Sequence, residues 1–365
     1  MKKVLFINNI PAPYRIDFFN RLGEYVDLTV IFEAKTTPFT VFNYNLDEVK
    51  NFRAIFLREG NIREHQVDWS ILRYLERGVY DFVIVTNYAY FTEAVAILML
   101  KLRGIPYDME LDGGVKRKDK FLLHAIKKLL IRGARRYWST GKQTDNFFKS
   151  FGIPSDLIVR YPFTSVSERD VLDVAAMSDQ RKSLRESLGI PYKNMVLGVG
   201  KPVHRKGFDL LIRAAASFAQ DTGVYIIGGN PPIEWLDLVH QNGLKNIHFI
   251  PFCDHDSLTD YYTAADVFVL PTREDVWGLV VNEAMARGVP VITTDGCVAG
   301  CEMIRSGENG YLIPVDTWEP IVAYVNRLLT DEKHRNRIAE EGLKTVRGYT
   351  VEAMARVHAE IFEQT

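Results

Sequence analysis

Short apolar runs of strand length, separated by amphipathic stretches, set the pattern of this chain. In the first half such runs fall at residues 4–8, 26–32, 52–57, 82–86, 105–111 and 136–140. Helical periodicity fills the gaps, from about residue 15, near 69–77 and at about 92–103, and again in a basic stretch after residue 115. Strands alternating with helices predict βαβ units and a parallel sheet. The rhythm breaks after Tyr161 and Pro162 into SVSERDVLDVAAMSDQRKSLRESLGI, a polar and charged stretch. It then resumes with runs at 195–199, 224–227, 247–250, 267–270, 291–293 and 311–313. The pattern predicts two α/β domains, 1–164 and 191–349, joined by a linker at 165–190, with a last helix at about 350–365 able to pack back on the first. In parallel sheets ligands bind beyond the carboxyl ends of the strands, so the loops after these runs are where chemistry is expected.

The length, 365 residues, suits two domains at about 150 residues each. Apolar residues at 47% and charged residues at 25% fit a globular chain with two cores. Three cysteines, Cys253, Cys297 and Cys301, argue against a disulfide framework and for a reducing, cytoplasmic setting. No run of residues approaches the roughly 20 apolar positions that span a bilayer, and the start turns polar too early for a signal peptide.

The net charge of −1 conceals a division between the halves. Residues 1–164 hold 25 Lys and Arg against 18 Asp and Glu, while 165–365 hold 20 against 28. Much of the excess lies in 116–136, where Lys116, Arg117, Lys118, Lys120, Lys127, Lys128, Arg132, Arg135 and Arg136 face only Asp119. Phe121, Leu122, Leu123, Ala125, Ile126, Leu129, Leu130 and Ile131 run between them. This reads either as an amphipathic helix that docks on anionic lipid, or as a domain-surface helix with an ordinary core stripe and solvated lysines. Nucleic acid is disfavoured because aromatic rings are not interleaved with the charges.

Two loops carry candidate chemistry. The run at 195–199 enters GKPVHRKGFDLLIRA, where Gly200 and Gly207 allow a tight turn and Lys201, Arg205 and Lys206 crowd cations at a helix start. Amides at a helix start plus ammonium groups suit a diphosphate. The dinucleotide fingerprint fails, since Val203 stands where its third glycine belongs. The run at 267–270 enters PTREDVWGLVVNEAMARGVPVIT, where Asp275 and Glu283 flank a helix start near Gly278. Amides around Trp277, Gly278 and Leu279 suit a phosphate or sugar hydroxyl, and Glu283 suits a ribose diol.

On these residues the chain resembles the retaining nucleotide-sugar transferases of glycosyltransferase family 4, which have the GT-B fold. Asp275 and Glu283 match the family's Glu-x7-Glu pattern, with Glu274 beside the first acid, and Gly200, Lys201, Lys206 and Gly207 match its G-R-x-x-x-x-K-G loop. The resemblance implies two Rossmann-like domains facing a central cleft, an acceptor-side domain first and a nucleotide-sugar domain second. It assigns Lys201 and Lys206 to the donor diphosphate, with Gly200 and Arg205 in the same loop. Asp275 or Glu274 and the Trp277, Gly278, Leu279 stretch go to the sugar and its phosphate, and Glu283 to the ribose. TDGCVAGCEMI, with Gly300 and Glu302, resembles a further donor loop. Asp112, followed by Gly113 and Gly114, stands where many relatives carry His-Gly near the reacting centre, and Tyr14 and Arg15 replace a usual Gly-Gly.

The resulting expectation is a retaining, metal-independent hexosyltransferase that uses no cofactor and takes a nucleoside diphosphate sugar, UDP-linked rather than GDP-linked. Its acceptor is a glycan or lipid-linked, in cell-surface polysaccharide or glycolipid synthesis, and its place is cytoplasmic, peripheral on the inner membrane face. Asp112, Lys201, Lys206 and Asp275 are its expected catalytic groups. The alternatives are an epimerase or phosphorylase on the same fold, or a silent donor-binding subunit. Asp254-His255-Asp256 resembles a metal motif but reads better as a helix cap at Asp256. Cys297 and Cys301 lack zinc partners, and His204 reads as an ordinary loop histidine.

Overall fold

Val4, Leu5, Phe6 and Ile7 are all buried, because a parallel strand covered on both faces has no solvent side to leave polar. The computed structural model of the chain describes residues 1–37, 46–63, 65–114, 120–173 and 177–364. Lys116, Arg117 and Lys118 fall outside these residues.

The chain forms two compact units, Met1–Ser165 with Thr350–Thr365, and Val166–Tyr349. The first holds strands β1 (Lys3–Asn8), β2 (Asp27–Phe32), β3 (Arg53–Phe56), β4 (Phe82–Val85), β5 (Asp108–Glu110), β6 (Tyr137–Ser139) and β7 (Ile158–Arg160). They lie in the order β3-β2-β1-β4-β5-β6-β7, all parallel. Between them run α1 (Pro13–Leu22), α2 (Phe91–Leu102), α3 (Phe121–Ile131) and α4 (Lys142–Ser150). The β7 edge strand is an addition to the expected set. The helix expected at 69–77 is only a 3-10 turn, Trp69–Arg73, started by Asp68. The run at 105–111 pairs only from Asp108, since Pro106 has no N–H to give a ladder.

The second unit holds α5 (Met177–Ser187), β8 (Asn194–Val199), α6 (Phe208–Ala215), β9 (Thr222–Ile227), α7 (Ile233–Gln241), β10 (Ile247–Ile250) and α8 (His255–Ala264). It continues through β11 (Val267–Leu270), α9 (Leu279–Ala286), β12 (Val291–Thr294), α10 (Val298–Met303), β13 (Tyr311–Ile313), α11 (Glu319–Thr330) and α12 (Glu332–Val346). Its parallel strands lie in the order β10-β9-β8-β11-β12-β13. The stretch read as a linker carries α5, held to this unit by Arg185, which donates to the Ala264 carbonyl (2.8 Å) and to buried Asp266. After Tyr349 the chain returns to the first unit as α13 (Val351–Glu363), which packs on α1.

In the second sheet β8 to β10 build outward in one direction and β11 starts again beside β8. The loops after β8 and β11 therefore diverge and leave a crevice at their carboxyl ends, the binding position of doubly wound sheets.

Candidate donor and acceptor-side sites

Both candidate loops of the second unit meet at that crevice. Gly207 adopts φ +69°, and a Cβ there would lie 1.9 Å from the Pro271 carbonyl oxygen, so the loop after β8 touches the backbone of the loop after β11. Only glycine allows that approach. It places Lys206 Nζ 2.5 Å from Asp275 Oδ2, with Arg205 Nη1 3.5 Å from Oδ1 of the same carboxylate. Arg205 also donates to the Glu274 carbonyl. Asp275 is buried, and its N–H donates to the Gly296 carbonyl at 2.8 Å. Lys201 is exposed at the mouth of the loop, one residue past Gly200.

Gly278 is the N-cap of α9 at φ 102°, and a Cβ there would meet Cys297 Sγ at 2.7 Å. Leu279 begins the helix. The Trp277 indole is buried rather than turned to a ligand, donating from Nε1 to Asn282 Oδ1 at 2.9 Å. Its ring anchors the helix start, while the expectation for this stretch concerned its backbone amides. Gly300 is likewise buried inside α10, where a Cβ would meet Thr293 Cγ2 at 2.5 Å, so it serves close packing of α10 on β12. Burial, with Asp275 nearby, pushes the Cys297 thiol up to about 12. The N-cap of α8 is Asp254, accepting from Ser257 N, rather than Asp256.

Glu283 lies in α9 and accepts from the Tyr262 hydroxyl at 2.9 Å. Burial, then the neighbouring carboxylate, raises that phenol well above its usual range, so it stays a donor to Glu283. Tyr262 was not foreseen; it sits on α8, and no local spacing links it to Glu283.

In the first unit, buried Arg15 bridges two acids, Glu110 Oε1 at 2.6 Å and Asp112 Oδ1. Tyr14 donates to Asp112 Oδ2 at 3.2 Å. Gly114 N donates to Thr144 Oγ1, and a Cβ on Gly114 would lie 2.8 Å from Phe147, so the turn after Asp112 is pressed onto α4. Gly113, with φ +159°, leads into it. Glu110 Oε2 lies 2.9 Å from Nε2 of His358 on α13, whose Nδ1 donates to the Met354 carbonyl. Because Nδ1 already carries a hydrogen, one further proton must lie between Nε2 and Glu110. Burial raises Glu110, but Arg15 and His358 outweigh it and hold the carboxyl below its usual range. Burial raises Asp112, and Arg15 only partly offsets this. Glu110 and His358 were not foreseen, being 248 residues apart.

The basic run does not form one basic helix. Arg135 and Arg136 lie beyond α3 and pair with buried Asp108 at 3.0 and 3.4 Å. The apolar positions of α3 divide: Leu130 and Ile131 at its end join the core, while Phe121 is 90% exposed, Leu122 71% and Leu129 60%. Lys120 and Lys128 are exposed on the same segment and Lys127 is half-buried. Among the described residues no helix is long and apolar enough to cross a membrane.

Two Rossmann-like sheets, the second with cationic and acidic loops meeting at its switch point, define the GT-B class of fold. Residues 180–345 match the family described as Glycosyl transferases group 1. The chain is 25% identical over 326 residues to an uncharacterized glycosyltransferase of Methanocaldococcus jannaschii, covering 83% of each protein. It is 20% identical over 295 residues to the N,N'-diacetylbacillosaminyl-diphospho-undecaprenol alpha-1,3-N-acetylgalactosaminyltransferase of Campylobacter jejuni, covering 77% of this chain and 76% of that one. Two other curated relatives are matched over 56% and 55% of their own length. Among solved structures, HepE of Anabaena in complex with UDP superposes with a TM-score of 0.81 over all of both chains, at 16% identity. The chain therefore has the GT-B fold, and its second unit is similar to a family of glycosyltransferases.

Proposed function

We propose that the protein is a retaining hexosyltransferase that moves a sugar from a nucleoside diphosphate, UDP in preference to GDP, to a glycan or lipid-linked acceptor in cell-surface polysaccharide or glycolipid synthesis. The observation that carries this is the convergence of Lys206 and Arg205 on Asp275 at the switch point of the second sheet. Departure of the nucleoside diphosphate is the difficult step, and fixed cations beside it stabilise the growing charge without a metal. Lys201, Lys206 and Arg205 take that role, Asp275 or Glu274 meets the sugar, and Glu283 with Tyr262 behind it holds the ribose. The anomeric carbon exchanges its bond to the leaving phosphate oxygen for one to the acceptor oxygen on the same face, and the acceptor proton passes to the departing phosphate. Asp112, set by Arg15 and Tyr14, lies on the acceptor side.

A lipid-linked acceptor is supported by the Campylobacter relative, whose name specifies a diphospho-undecaprenol substrate, and by the exposed apolar face of α3 flanked by Lys120 and Lys128. That face is proposed to rest on the anionic inner surface of the cell membrane, placing the enzyme in the cytoplasm. The test is a thermal-shift screen of UDP- and GDP-sugars. The stabilising donor is then incubated with lipid-linked acceptors with and without EDTA, and the product's anomeric configuration is read by NMR. Absence of stabilisation by every nucleotide sugar would reject the proposal.

A further inference from the structure

One guanidinium holds together three loops at the carboxyl ends of the second sheet. Arg273, three residues past β11, donates from Nη1 to the His204 carbonyl (2.7 Å) and to Asp209 Oδ1 (2.8 Å), and from Nη2 to Asp209 Oδ2 (2.8 Å). Its Nε donates to Asp316 Oδ1 at 2.6 Å. Asp316 lies on the loop after β13 in left-handed backbone, φ 58°, a conformation few residues other than glycine adopt but which aspartate tolerates. The main chain adds to the tie: Arg273 N donates to the Arg205 carbonyl at 2.8 Å, and the same oxygen accepts from Thr272 Oγ1 at 2.9 Å. All three guanidinium nitrogens are therefore engaged, and two of them close the bidentate fork on Asp209 that arginine forms and lysine cannot.

Asp209 stands in the first turn of α6, directly after the Lys206-Gly207 turn. Burial raises its carboxyl, but Arg273 overrides this and holds it below its usual range. Arg273 itself faces two carboxylates, so its charge is already more than matched and it has little attraction left for an incoming anion. What it can do is fix the 204–206 turn from both ends, at the His204 carbonyl and at Asp209.

We propose that Arg273 is a positioning residue for the donor diphosphate: it clamps the turn that presents Arg205 and Lys206 and does not itself touch the phosphates. The clamp matters most when a ligand displaces Asp275 from Lys206, because the turn then loses its ion pair to the neighbouring loop and keeps its place through Arg273. This rests on the reading of the Gly200 to Gly207 loop as the diphosphate site.

The test is calorimetric titration of the full chain with UDP and with uridine, and with GDP and guanosine in parallel, in wild type, Arg273→Gln and Arg273→Lys. The nucleoside lacks phosphates and reports on the rest of the pocket. Arg273→Gln is expected to weaken the diphosphate by about tenfold, the scale of a lost hydrogen bond to a charged group, and to leave the nucleoside unchanged. Arg273→Lys should fall between, and it keeps the test open if the glutamine variant fails to fold by circular dichroism. Wild-type diphosphate affinity in a folded variant would overturn the inference alone. Equal losses for diphosphate and nucleoside would also overturn it, as a general loosening of the unit. If wild-type protein binds diphosphate no better than nucleoside, the reading of the loop fails and the inference with it.

Discussion

The ammonium of Lys206 lies 2.5 Å from the carboxylate of Asp275, across the gap between the loops that follow two neighbouring strands. The pair occupies the ammonium, so an arriving diphosphate competes with an internal anion for the same cation. Asp275→Asn should therefore raise affinity for UDP, by about tenfold if one charge-assisted contact is freed, while slowing sugar transfer. Calorimetry with UDP, set beside turnover of the best donor, checks both halves. A variant that binds UDP more weakly than wild type would show that Asp275 holds Lys206 in place rather than competing for it.

With Glu283 on the ribose as proposed, Tyr262, which donates to it at 2.9 Å, acts there only through Glu283. Tyr262→Phe is expected to cost about 1 kcal/mol of UDP binding and Glu283→Gln more. Neither should change binding of 2′,3′-dideoxy-UDP, which lacks the diol. Equal losses for both nucleotides would place Glu283 elsewhere in the pocket.

Glu33, just past β2, and Glu93, in the first turn of α2, are both buried, and Thr92 donates to Glu33 Oε1 at 2.9 Å. Burial, and then the charge of Glu33, raise Glu93 well above the usual carboxyl range. An acid whose folded pKa is raised contributes stability that is full below its unfolded pKa and is lost as pH rises through the folded value. Glu93→Gln should thus be more stable than wild type at pH 8, by about 1–2 kcal/mol, and should lose that advantage by pH 4. Urea melts at both values measure it; a constant difference across pH would dismiss the coupling.

The His358–Glu110 bond buries a proton between α13 and β5. His358→Gln removes the imidazole and leaves Glu110 to Arg15 alone, which should destabilise the chain by about 3 kcal/mol. Adding Glu110→Gln removes the buried carboxylate that has lost this partner, so the double variant should be more stable than His358→Gln. Simple loss of packing around the Trp138 ring, stacked 4.3 Å from His358, would instead leave the double variant no better.

Docking of α3 predicts co-sedimentation with vesicles rich in anionic lipid at low salt and release at high salt, since each Lys or Arg near such a surface contributes about 1 kcal/mol. Phe121→Ser with Leu122→Ser should abolish binding that salt alone only weakens, and Lys120→Ser with Lys128→Ser should reduce it. Wild type remaining in the supernatant with anionic vesicles would favour a soluble acceptor.

Most strands of both sheets were legible as apolar runs, because a strand covered on two faces needs apolar residues at nearly every position. The glycine-bearing loops were legible too, since Gly207 and Gly278 occupy backbone that other residues resist. Local spacing also placed the cations of one loop and the acids of the other. It could not say that these loops adjoin, because β8 and β11 are neighbours in space only through the order of the sheet. Nor could it say that the Trp277 ring turns inward or that Arg273 ties three loops together. Periodicity marks a stripe on a helix without naming what covers it, so the exposure of Phe121 and Leu122 was decided by the absence of a packing partner in the fold among the described residues. Glu110 and His358 meet for the same kind of reason: a buried charge takes whatever partner the packing of distant segments supplies, and that pairing leaves no trace in local sequence.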